Sequence, residues 1–143
     1  MPKTKMMSKT KMMNEFINAV TSDELKEFVL TGKIVDKTTS YLQLIFCNNP
    51  NSHFEPTFYA GRIKPYLDLL ENNKLSKSKL EKIKSKLSSY CKKNNLNEPN
   101  SYMGGFRIEF NDIFIENKTS TDFWEECKML MLEHMPRINN IIK

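Results

Sequence analysis

Glycine, arginine and histidine are scarce in this chain of 143 residues, at four, three and two. Two histidines and three widely spaced cysteines, Cys47, Cys91 and Cys127, exclude the repeated ligand pairs of a zinc module. Neither Cys-x-x-Cys nor His-Glu-x-x-His occurs. An odd number of cysteines suits reduced, buried thiols rather than a disulfide framework. No metal or other cofactor is expected, and His53 and His134 read as structural. The few glycines make no phosphate cradle, because Met103-Gly104-Gly105 leads into a strand pattern rather than a helix N-terminus. No apolar run approaches the ~18 residues of a membrane span. The Lys-rich start lacks the apolar stretch of a secretory signal. The expected setting is intracellular (cytoplasm, nucleus or virion) and away from the membrane.

Catalytic constellations are missing as well. Cys127 and His134 are seven residues apart on one predicted helix, about 10 Å along its axis and too far for a thiolate–imidazole pair. Glu125, Glu126 and Glu133 read as the acids of an exposed helix that complement its dipole, not as a catalytic pair. No nucleophile, base and orienting partner occur together.

What is present is an ordinary globular composition, 39% apolar and 27% charged, enough for one core. The wealth of Lys and Asn matches an AT-rich genome such as that of a large DNA virus, a phage of a low-GC host or a protist. Residues 1–13, which repeat Lys-Thr-Lys-Met-Met, read as a basic tail, and 14–143 as a single domain. Periodicity predicts a helix from Asn14 carrying Phe16, Ile17 and Val20, then a second helix from Asp23 ended by Gly32. Lys33–Asp36 and Tyr41–Asn48 read as paired strands, the latter apolar at nearly every position and so covered on both faces. Asn48–Ser52 reads as a loop, and Thr57–Ala60 as a further strand ended by Gly61. Pro65 suits the first turn of a helix reaching Glu71. The longest predicted helix runs from Ser76 to Lys93, with Leu80, Ile83, Leu87, Tyr90 and Cys91 on one face. Phe106–Phe110 and Ile113–Glu116 read as a hairpin about Asn111-Asp112, with Arg107 opposite Glu116. A last helix opens at Asp122, where Glu125 completes a capping-box pattern, and stops near Pro136. The expected fold is α+β, a mostly antiparallel sheet of two hairpins with helices packed on one face.

Charge is the strongest functional signal. Residues 74–93 hold eight lysines against Glu81, a local net of +7, and residues 1–11 add +4, whereas 12–73 and 94–143 are each −3. At 100° per residue Lys79, Lys82, Lys86 and Lys93 fall in one stripe beside the apolar arc, a candidate polyanion-binding surface. The plain alternative is a solvated polar face. Arginine and interleaved aromatics, usual in nucleic-acid sites, are absent from the stripe. Nine Phe, five Tyr and Trp124 offer more aromatic surface than one small core needs, which suits a protein contact face. These features point to a non-enzymatic structural or accessory subunit of a larger assembly, viral or nucleoprotein in kind. Its acidic partner would meet the Lys-rich helix and the basic N-terminal tail. An independent nucleic-acid-binding module is the second reading, and a small enzyme with a dispersed site the third. The sequence sets no oligomeric state.

Overall fold

Side chains that alternate between apolar and polar govern the middle of the chain, and they build a seven-stranded antiparallel sheet. The computed structural model describes residues 8–20, 30–37, 41–46, 49–116 and 120–142. Its strands are β1 (Leu30–Lys37), β2 (Leu42–Phe46), β3 (Asn49–Tyr59), β4 (Arg62–Leu69), β5 (Asn100–Tyr102), β6 (Gly105–Glu109) and β7 (Ile113–Phe114). They lie in the order β1-β2-β3-β4-β6-β5, and β7 pairs with β4. The described helices are α1 (Lys9–Val20), α2 (Lys77–Lys93) and α3 (Ser120–Ile142).

The three described helices share one core with one face of the sheet, which makes the fold α+β. Leu42, Leu44 and Phe46 of β2, Phe54 and Phe58 of β3, and Ile63, Leu67 and Leu69 of β4 bury there. They meet Met12 and Phe16 of α1, Ile83 and Leu87 of α2, and Phe123, Met131 and Ile138 of α3. The Phe16 ring stacks on Phe54 and stands edge-on to Phe58 and Trp124. Among the described residues no helix is long and apolar enough to cross a membrane.

Several elements depart from the sequence expectation, each for a physical reason. The helix expected from Pro65 is instead strand β4, paired along its length with β3. Pro65 is tolerated because it faces Pro56, and its carbonyl bonds sideways to the Phe110 amide. In an antiparallel strand the N–H and C=O of one residue point to the same side. The missing donor therefore falls in the gap between β6 and β7, where no ladder bond is needed. Asn49–Ser52, expected as a loop, is the start of β3. β2 is buried on alternate residues only, so one face is packed and the other half-open.

The expected hairpin about Asn111-Asp112 does not form. β6 and β7 both pair with β4, as consecutive stretches along the same edge, and Arg107 faces Asp68 rather than Glu116. The register moves from Tyr66↔Glu109 to Ile63↔Ile113, which inserts one extra residue at Asn111-Asp112: a β-bulge. A bulge and a two-residue turn both return Phe110 and Ile113 to the same face, so the apolar pattern fits either. The hairpin that does form joins β5 to β6 through Met103 and Gly104, at φ 49° and 81°.

Helix ends differ too. α1 begins at Lys9, and Met12 and Met13 are buried. The expected helix over 23–29 lies outside the described residues, and Gly32, read as its stop, is inside β1. α3 runs through Pro136 to Ile142. A mid-helix proline costs about 3 kcal/mol. Continuing the helix buries Ile138 and Ile142 on the face of Phe123, Cys127 and Met131, which returns ~1.5–3 kcal/mol for each side chain.

Gly105 sets the closest approach in the sheet. A Cβ there would stand 2.0 Å from the Leu69 carbonyl oxygen and 2.5 Å from that of Leu70, whereas at Gly104 the nearest atom is 3.7 Å away. Gly105→Ala is therefore expected to cost more than about 3 kcal/mol in urea unfolding. Gly104→Ala, strained only in its backbone, should cost about 1–2 kcal/mol. The reverse order would show that β4 and β6 do not close on this glycine.

Candidate functional site

Two groups of charged side chains stand out, one on a helix and one on the sheet face away from the helices. α2 is capped by Ser76, whose hydroxyl accepts from the Lys79 amide, and Lys92 and Lys93 sit in its last turn, where the dipole favours cations. Ile83, Leu87 and Cys91 anchor it, and burial pushes the Cys91 thiol up to about 11, as does nearby Glu98. Lys79, Lys82, Lys86 and Lys93 are all exposed, as the stripe requires.

The structure brings three of the four together. Lys79, Lys82 and Lys86 surround a shallow hollow of about 370 Å³, with Ser78, Ile83 and Ile141 of α3. Lys79 also borders an adjoining hollow of about 420 Å³ with Lys74, Asn49, Asn51 and Asn73. Lys93 lines neither and stands at the far end of α2. Among the described residues, none of Lys79, Lys82 and Lys86 forms an ion pair with an acid.

The second group was not legible as a site because it forms only when β2, β3, β4 and β6 are in register. His53 faces Asp68 across β3 and β4, and Asp68 faces Arg107 across β4 and β6. Arg107 Nε donates to Asp68 Oδ1 at 2.6 Å and Nη2 to Oδ2 at 2.8 Å, with a further bond from Nη2 to Glu55 Oε2 at 3.2 Å. The guanidinium lies between the rings of Tyr66 and Tyr102, 4.4 and 3.8 Å from their centroids. His53 Nε2 is 3.1 Å from Asp68 Oδ2, 3.5 Å from Glu55 Oε1 and 4.0 Å from Glu71 Oε1. Gln43 of β2 donates to Glu55 Oε1 at 3.0 Å.

These groups set one another's protonation. Burial alone would lower the His53 imidazole, but its bonds to Asp68 and Glu55 and the nearby carboxylate charges push it up to about 9. Burial works to raise Asp68, and the bonds from Arg107 and His53 hold it below the usual carboxylate range. Glu55 is lowered in the same way, against its burial, by His53 and Gln43. Burial raises Glu71. An imidazole whose Nε2 faces three carboxylates holds its proton, which suits His53 to pairing rather than to the role of a general base. The two histidines differ: His134 Nδ1 lies 2.7 Å from the Tyr90 hydroxyl and packs on Phe110, and burial lowers its pKa.

The aromatic surplus goes largely into the core, with Phe16, Phe46, Phe54, Phe58, Phe106, Phe110 and Phe123 all buried, and Tyr59 and Phe114 exposed. Cys91 and Cys127 are buried thiols, and Cys47 lies outside the described residues. No protein-family model, curated protein or solved structure matches this chain.

Asp68 is fully buried, and its charge is held by two bonds from Arg107 and one contact with His53. Arg107→Met is expected to destabilise the fold by about 2–3 kcal/mol, short of the ~3–5 kcal/mol for a buried charge left wholly unpaired, because His53 remains beside it. Arg107→Lys should recover only part of that, because an ammonium cannot make the two-pronged bond. Chemical denaturation measures both, and full rescue by lysine would show that charge alone suffices.

Proposed function

We propose that this chain is a non-enzymatic, intracellular accessory subunit that docks an acidic protein segment along α2. Lys79, Lys82 and Lys86 around one hollow, without acidic partners among the described residues, carry this reading. The floor of the hollow favours a protein over a nucleic acid. Ile83 and Ile141 lie beneath the lysines, which suits a partner presenting acids beside an apolar side chain. A phosphate backbone calls for no apolar floor, and nucleic-acid sites favour arginine and stacking aromatics. Lys11 of α1 is exposed and, with the lysines before it, extends the basic character toward the N-terminus. A larger assembly, viral or nucleoprotein in kind, supplies such partners.

The test uses a labelled amphipathic Glu/Leu peptide and fluorescence anisotropy. Changing Lys79, Lys82 and Lys86 together to Gln preserves helix propensity. It should weaken binding about tenfold, since exposed charge pairs contribute ~0.2–1 kcal/mol each. Lys77, Lys84 and Lys92 lie on the opposite side of the same helix at 100° per residue. Their triple change to Gln should weaken binding by less than about threefold, through screened long-range charge alone. Equal losses from the two triples would reduce the stripe to net charge and overturn the proposal. A single-stranded oligonucleotide bound more tightly than the peptide would favour the nucleic-acid module. In that case the stripe triple should lower the salt slope by about 0.7 for each phosphate it no longer neutralises.

A further inference from the structure

We propose that His53, Glu55 and Asp68 form a binding site for one divalent transition-metal ion, on the sheet face opposite the helices and independent of the lysine hollow. One donor atom from each residue lies within 4.8 Å of the others. The separations of 3.1 Å from His53 Nε2 to Asp68 Oδ2 and 3.5 Å to Glu55 Oε1 are telling. Ligands bound at roughly 2.0–2.2 Å to a common ion stand about 2.8–3.1 Å apart along the edges of an octahedron and about 3.3–3.6 Å along those of a tetrahedron. Glu71 Oε1, 4.0 Å from the same nitrogen, is placed to add a fourth donor after a small side-chain rotation.

Three further features separate this group from surface acids that gather without a ligand. It is internal: His53 is 6% exposed and Asp68 0%. It mixes an imidazole nitrogen with carboxylate oxygens, a donor set suited to Zn²⁺, Mn²⁺ or Fe²⁺ rather than to the all-oxygen shells of Mg²⁺ and Ca²⁺. The donors are also held from behind. Arg107 bonds both oxygens of Asp68 and Oε2 of Glu55, and Gln43 bonds Glu55 Oε1 from β2, so Asp68 Oδ2 and Glu55 Oε1 each accept one bond and keep a second lone pair for an ion beside His53. Such outer contacts orient metal ligands in established sites.

Charge points the same way. Glu55, Asp68 and Glu71 oppose Arg107 and the His53 imidazolium, three formal negative charges against two positive. A divalent ion binding at Nε2 releases one proton, so two charges enter as one leaves and the group becomes neutral.

The test is Zn²⁺ titration of the full chain, stripped with EDTA and kept reduced, followed by calorimetry and X-ray absorption. One ion per chain is expected, with nitrogen and oxygen neighbours and no sulfur. Glu55→Gln and His53→Gln should each lower affinity by about tenfold or more, with circular dichroism checking the fold. His134→Gln, which removes the other histidine, should leave binding unchanged. Should His53→Gln fail to fold, the less buried Glu55→Gln still decides. Sulfur among the ion's neighbours, loss of binding in His134→Gln, or wild-type binding no tighter than in Glu55→Gln would each overturn the site.

Discussion

The phase of β4 is the constraint on which the rest of the molecule depends. Residues 63, 65, 67 and 69 point to the helices and 62, 64, 66 and 68 away from them, and both sets are committed. Leu67 and Leu69 fill the core, while Asp68 between them belongs to an ion network. A slip of one residue against β3 or β6 would exchange the two faces, driving a carboxylate among phenylalanines and leucines into water. Apolar burial and ionic pairing thus specify the same register. The bulge at Asn111-Asp112 serves that register, since its extra residue keeps Phe110, Ile113 and Ile115 on the core side. Arg62 pairs with Asp112 there and ties the bulge to the strand it follows.

How far the fold was legible in the sequence follows from which physics is local. α2 is readable because its Ser76 cap and its apolar spacing of three and four are properties of adjacent residues. β4 is not, because Pro65 favours a helix start in isolation, and its place in a strand depends on a gap in the neighbouring edge that sequence spacing does not reveal. Pro136 misleads in the same way: the burial that carries the helix through it comes from elsewhere in the fold. The ion network suffers most. His53-x-Glu55 and Arg107-x-Glu109 flank apolar residues in strand alternation, a signal for charged groups beside a core. A helix through Asp68 takes away the partner that joins them.

The two charged groups occupy opposite sides of the sheet and differ in kind. The lysines of α2 are exposed and unmatched by acids among the described residues, so their charge acts outward and is weakened by salt. The His53–Asp68–Arg107 row is internal and its opposite charges are paired within the sheet, so it acts inward, on register.

The link between α1 and α3 bears on how the protein is made. Trp124 Nε1 donates to Glu15 Oε2 at 2.9 Å across 109 residues of sequence, and the Trp124 ring lies 5.7 Å from Phe16. On a ribosome, α1 emerges well before the helix that covers it is synthesised. At ordinary rates of translation that interval is roughly 5–20 seconds. β3 follows much sooner and brings Phe54 and Phe58 to the Phe16 ring, whereas the side of Phe16 that Trp124 covers waits for α3. The cover over the first helix is thus laid down in two stages, and α3 completes it.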